Sequence, residues 1–221
     1  MTPRDEILAR VRRRAPRART VPLWPPFAQG DPALGRGSFE AFAAALQRMG
    51  GKLAEPPAAA DLGAWVRERF APARVVCSAV PEVAGNRPLD LVRHVRDLDD
   101  VDVGVVRAAF GVAETGSVLL TEREMPVPAL GFLAQHLVVL LDPAAIVPTL
   151  HDAYARLHAD AQLAQAGYAI FMTGPSATAD IEGVLIHGAQ GVRSLTVLPV
   201  AAVGSAPLLR STPNPPAQPL S

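Results

Sequence analysis

Two short runs of this sequence combine residue types that hold or transform small anions. The denser is Gly174-Pro-Ser-Ala-Thr-Ala-Asp-Ile-Glu182. It falls between a predicted strand over 168–172 and a predicted helix over 178–187. Gly174 frees the backbone to turn, and Ser176 or Thr178 can accept from the first free amides of the helix. Asp180 and Glu182, in its first turn, suit the helix dipole. That accounts for the run as a well-capped helix. The same groups also present hydroxyls and backbone N–H groups to a ligand, as helix N-termini do for anions. The two acids disfavour a pure phosphate cradle and favour hydroxyl recognition or an anchor for arginines. Composition leaves both readings open.

The second run is Ala113-Glu-Thr-Gly-Ser117, on a turn leading into a predicted strand over 117–121. Glu114 is a candidate nucleophile or general base if partly buried, and equally a turn residue that pairs with an arginine. Thr115, Gly116 and Ser117 complete a binding-loop composition in which glycine permits close backbone approach. His136 enters the next predicted strand, where a lone histidine is either a structural group or a proton carrier. His151 and His158 are about 10.5 Å apart along a predicted helix, too far to ligate one metal unaided. No metal site is expected. The HExxH, GxSxG and GxGxxG patterns are absent, which leaves zinc-peptidase, α/β-hydrolase and dinucleotide-fingerprint chemistry without support.

Composition removes further classes. Among 221 residues, 49% are apolar and 19% charged, with 21 basic against 21 acidic side chains. That is globular composition, and the zero balance argues against nucleic-acid or membrane-surface binding. Residues 1–20 hold seven arginines with Asp5 and Glu6, so the rest has 14 basic against 19 acidic residues, a net charge of −5. One cysteine, Cys77, rules out an internal disulfide, a zinc knuckle or a cysteine-ligated iron–sulfur cluster in this chain. Lys52 is the only lysine. No GxxxxGK[ST] loop exists, since Leu46 stands where its first glycine belongs, and a Schiff base would have to use Lys52, which has no evident partner. Apolar runs such as 137–141 are far short of a membrane span, and the N-terminus lacks an apolar h-region. A cytoplasmic protein is expected.

The elements that must position these residues follow from periodicity. A basic amphipathic helix is predicted over 3–14, then a proline-rich arm to residue 37. Ser38 and Asp61 open two further helices, and Gly50-Gly51 ends the first of them. Strands are predicted over 52–54, 74–78, 101–106, 117–121, 136–142, 168–172 and 194–198, with one long helix over 146–165. Alternation of strands and helices predicts a mostly parallel sheet covered on both faces, in a domain over 38–202 followed by a proline-rich tail. The turns at 114–117 and 174–180 are expected to converge on one cleft with His136 near its rim, at the carboxyl ends of the strands.

Taken in order, Ala113-Glu-Thr-Gly-Ser117, His136 ahead of Val138-Val-Leu, Gly174-Pro-Ser-x-Thr-Ala-Asp-Ile-Glu182 and Gly188-x-x-Gly191 resemble the LUD domain family, in its lactate utilization protein C group. The likeness is strongest over 101–200. It implies a Rossmann-like three-layer α/β/α sandwich, in the broad group of glucosamine-6-phosphate deaminase, ribose-5-phosphate isomerase and the coenzyme A transferases. It implies a role in bacterial oxidation of L-lactate to pyruvate beside partner iron–sulfur proteins, which would carry the clusters and electrons, with a small hydroxy- or keto-acid as possible ligand. No cofactor is expected in this chain. One departure stands out: the family's Gly-Val-His-Gly-Pro is here Gly188-Ala-Gln-Gly-Val192, and Gln190 cannot carry a proton as histidine does. The alternative function is a coenzyme A transferase-like or sugar-phosphate-binding enzyme using the Glu114 and Gly174–Asp180 loops, by fold-level analogy.

Overall fold

The computed structural model of the chain describes residues 2–14, 37–55, 61–180 and 183–201. The chain divides into two units, residues 1–30 and 31–221. The first holds α1 (Pro3–Arg14), capped where the Asp5 carboxylate accepts from the Thr2 N–H at 2.9 Å and its hydroxyl at 2.6 Å. Arg12, Arg13 and Arg14 fill its last turn, the end where the helix dipole favours cations.

The second unit opens with α2 (Phe39–Arg48), whose first turn is capped by Ser38 Oγ accepting from the Ala41 N–H at 3.0 Å. After β1 (Lys52–Leu53), Asp61 Oδ1 accepts from the Ala64 N–H at 2.7 Å and starts α3 (Leu62–Arg69). Next come β2 (Val76–Ser78), β3 (Val103–Arg107), β4 (Phe110–Val112), β5 (Ser117–Thr121), α4 (Leu130–Leu133) and β6 (His136–Leu141). Then β7 (Ile146–Val147), α5 (Leu150–Ala159), α6 (Ala161–Ala164), β8 (Ala169–Met172), β9 (Ala177–Thr178), β10 (Ile186–His187) and β11 (Ser194–Pro199) complete the described elements.

The central sheet is parallel, in the order β1-β11-β6-β3-β2. Successive side chains of its strands point to opposite faces. On one face Val103, Val105, Val138, Leu140 and Leu198 pack against Leu62 and Val66 of α3. On the other, Leu137, Val139, Leu141, Leu195 and Val197 join Phe42 and Leu46 of α2 with Val118 and Leu120 of β5. Strands buried on both faces explain the near-continuous apolar run of β6.

Three expectations need correction. First, the sandwich is not helix, one sheet, helix. A second sheet, in the order β7-β4-β5-β8, covers the parallel sheet beside α2. Its outer face, Phe110, Val112 and Leu119, is covered in turn by Ala153 of α5 and Leu163 of α6. Second, the helix expected over 146–165 begins late and breaks. Pro148 holds the preceding residue extended, Thr149 and Asp152 form a capping box for α5, and Asp160 restarts the chain as α6. Third, the helix expected over 178–187 is not formed. Ile186 pairs with Thr178 and His187 with Ala177 in an antiparallel β9–β10 pair. Gly183, with φ of 69°, lies between them, and β-branched Val184 and Ile186 favour extended chain. No described helix is long and apolar enough to cross a membrane.

Candidate functional site

The parallel register brings the amino ends of four strands together. Ser194 lies beside His136, and Thr196 beside Lys52. Asp102 immediately precedes β3, whose Val103 pairs with His136. Lys52, His136, Ser194 and Thr196 share the sheet face that α3 covers, at the end where α3 stops. The segment after α3, Phe70 to Ala73, closes over them. Together with Arg69, Asp102 and these side chains it lines an open-mouthed cavity of about 310 Å³.

The groups in this cavity are fixed by named contacts. His136 Nδ1 lies 2.8 Å from Ser194 Oγ, and the Phe70 ring stacks at 5.3 Å on the imidazole. Asp102 Oδ2 accepts the backbone N–H groups of Arg74 at 2.6 Å and Val75 at 2.9 Å. Those two bonds hold the Asp102 carboxyl below its ordinary pKa and therefore charged. Burial, then the charges of Lys52 and Arg193, lower the pKa of His136, while Asp102 opposes them. Two basic side chains, an imidazole, two hydroxyls and one carboxylate thus face a small volume. Such a lining binds a compact anion that also carries hydrogen-bonding groups.

A second cavity, of about 480 Å³, is lined by Arg48, Met49, Glu114, Thr115, Ser117, Leu150 and Thr173 among others. Because β5 is antiparallel to both β4 and β8, the Glu114 turn and the turn after β8 lie at one end of the second sheet. Thr173 Oγ1 donates to Gly116 O at 3.0 Å. The Glu114 carboxylate is exposed and accepts the Leu150 N–H at 2.8 Å, at the start of α5. Thr115 Oγ1 is buried without a partner among the described residues, and Ser117 is buried in β5.

The sequence-selected residues are therefore divided rather than gathered in one cleft. Glu114, Thr115 and Ser117 line the second cavity, whereas His136 lines the first. Gly116 packs against the backbone of α2, where a Cβ would meet Leu46 N at 2.1 Å. Gly174 does the same at Met49 O. Ser176 bridges by backbone, donating to Val192 O at 2.9 Å and accepting from Gly188 N–H at 2.6 Å. Thr178 donates its hydroxyl to Asp180 at 2.9 Å in a local turn, not a helix cap. Glu182 lies outside the described residues. Gln190 is exposed and lines neither cavity.

Sequence reasoning missed Lys52, Arg69, Asp102, Ser194 and Thr196. Two of these carried a signal: Lys52 as the sole lysine, and Asp102 as a lone acid inside the apolar run Val101–Val106. The cavity also sits at the amino ends of the parallel strands, not the carboxyl ends. The 174–176 turn follows β8 of the second sheet, and its Ser176 N–H donates to Val192 O, just ahead of β11.

The fold and site together define a mixed α/β domain whose parallel sheet ends in a cavity lined by Lys52 and Arg69. Residues 92–200 match the LUD domain model, so this stretch of the chain is similar to the LUD domain family. It is 30% identical to the Escherichia coli (strain K12) protein YkgG over 109 residues, 47% of this chain and 46% of that protein. It is 32% identical to lactate utilization protein C of Bacillus pumilus over 109 residues, 48% and 45% of the two chains. It is 29% identical to lactate utilization protein C of Geobacillus kaustophilus over 103 residues, 45% and 42%. The matches span under half the length of these relatives. In fold the chain is similar to a DUF162 family protein from Deinococcus radiodurans, with TM-score 0.58 and 18% identity, covering 73% of this chain and 95% of that one.

Proposed function

We propose that this chain is a component of L-lactate utilization, the oxidation of L-lactate to pyruvate. It holds a small hydroxy- or keto-acid in the cavity of Lys52, Arg69 and His136 and works beside iron–sulfur proteins that carry the electrons. The observation that carries this reading is the cavity: two cations and two hydroxyls around a volume at the lower end of ligand sites. Relatives named lactate utilization protein C support the pathway. The lone Cys77, buried in β2, supports clusters held by partners rather than by this chain. The parallel sheet supports a fold of the glucosamine-6-phosphate deaminase and coenzyme A transferase group, and a cytoplasmic location accords with the pathway. An exposed Glu114 committed to the α5 amide does not favour the transferase alternative.

The test is growth on L-lactate of a bacterium deleted for its own homologue. The wild-type chain should restore growth and Lys52→Met should not, with growth on glucose equal in both. Restoration by Lys52→Met at the wild-type rate would sink the reading. Purified chain alone should not reduce a dye with L-lactate, because its electron carriers sit in other proteins.

A further inference from the structure

We propose that Asp102 makes the cavity selective for a 2-hydroxy acid over the corresponding 2-oxo acid. This rests on the reading of the cavity as a carboxylate site. Both backbone N–H bonds to Asp102 fall on Oδ2, and among the described residues Oδ1 accepts none. Nor does Asp102 form an ion pair with Lys52 or Arg69 among the described residues. A charged carboxylate is an acceptor only, whereas the lysine ammonium and the guanidinium are donors only. A ligand that satisfies this lining therefore needs an anionic, acceptor-rich end for Lys52 and Arg69. It also needs a hydrogen-bond donor for Asp102.

A 2-hydroxy acid carries both on adjacent carbons: its carboxylate accepts and its hydroxyl donates. A 2-oxo acid offers lone pairs alone, so its carbonyl oxygen meets the Asp102 oxygen as acceptor against acceptor. A site built to bond a hydroxyl rejects an analogue lacking the proton, because its own polar group is then left unpaired. His136 does not rescue the oxo acid equally, since its Nδ1 is engaged with Ser194 and one imidazole N–H cannot cancel a facing carboxylate. The volume, about 310 Å³, admits an acid of a few carbons and the water around it.

Calorimetric titration of the full chain with L-lactate, pyruvate, 2-methoxypropionate and propionate tests this. L-lactate should bind at least fivefold more tightly than each of the others. The methoxy compound is decisive because it keeps the oxygen and removes only the proton. Asp102→Asn, whose amide both donates and accepts, should bring L-lactate and pyruvate within fivefold of each other. Lys52→Gln should weaken every acid that binds. L-lactate within fivefold of pyruvate or 2-methoxypropionate on the wild-type chain overturns the selectivity while leaving the carboxylate site standing. So does a folded Asp102→Asn that retains the preference. If that variant melts before it can be titrated, the wild-type ligand series decides alone. Failure of all four acids to bind, or binding unchanged in Lys52→Gln, overturns the carboxylate reading and the selectivity with it.

Discussion

The imidazole of His136 titrates in a field set by its neighbours. Burial first, then Lys52 and Arg193, hold its pKa below the ordinary histidine value of about 6.5, and Asp102 pulls the other way. As the pH falls through about 6.5, the unfolded chain takes up this proton before the folded chain does, and stability falls. The loss stops growing once the pH passes below the folded value. His136→Gln keeps a hydrogen-bond partner for Ser194 and removes the titration. The wild-type melting temperature should therefore drop further than that of the variant between about pH 7.5 and pH 5.5, where histidines change charge. Parallel slopes would show that burial in the cavity does not set the charge of His136. At this scale the sequence was legible in residue type and not in company. Lys52 was visible as the sole lysine, but the residues that share its cavity lie on strands and helix ends distant along the chain.

Elements were legible wherever their cause is local. Ser38 and Asp61 cap the helices that their position ahead of apolar-periodic residues implied, because a cap needs only the three residues that follow. The hairpin of β9 and β10 was read as a helix because a two-residue strand exists only through its partner. Gly174 shows how close approach is built into one element. Its φ is +63° and a Cβ there would meet Met49 O at 2.0 Å, whereas Gly183, at φ +69°, has nothing within 4 Å of its Cβ position. Gly183→Ala should cost about 1 kcal/mol, from backbone strain alone. Gly174→Ala adds displacement of the α2 end and should cost at least about 2 kcal/mol, a fall of roughly 4–8 °C. Thermal melts of the two variants compare them directly, and equal losses would show that the 174 turn can move off α2 without cost.

At the scale of the molecule, the division at residue 30 carries its own expectation. Deleting residues 1–30 should leave the melting temperature of the remainder within about 2 °C, since every described strand and the described helices that cover the parallel sheet belong to the second unit. A cooperative loss of folding on that deletion would place the N-terminal arm within the core instead. The sequence by itself determined the mixed α/β class, the likeness to the LUD domain, the helix caps and seven strands of the two sheets. Each of these rests on hydrophobic periodicity, turn chemistry or a contiguous motif, all properties of neighbouring residues. Only the tertiary structure decided that the strands form two sheets and that the glycine-rich turns serve mainly to seat α2. It also decided that the cationic cavity lies at the amino ends of β1, β6 and β11. Strand order and sheet-on-sheet packing depend on which apolar faces bury each other across long separations. A parallel register then aligns residues that no local pattern connects.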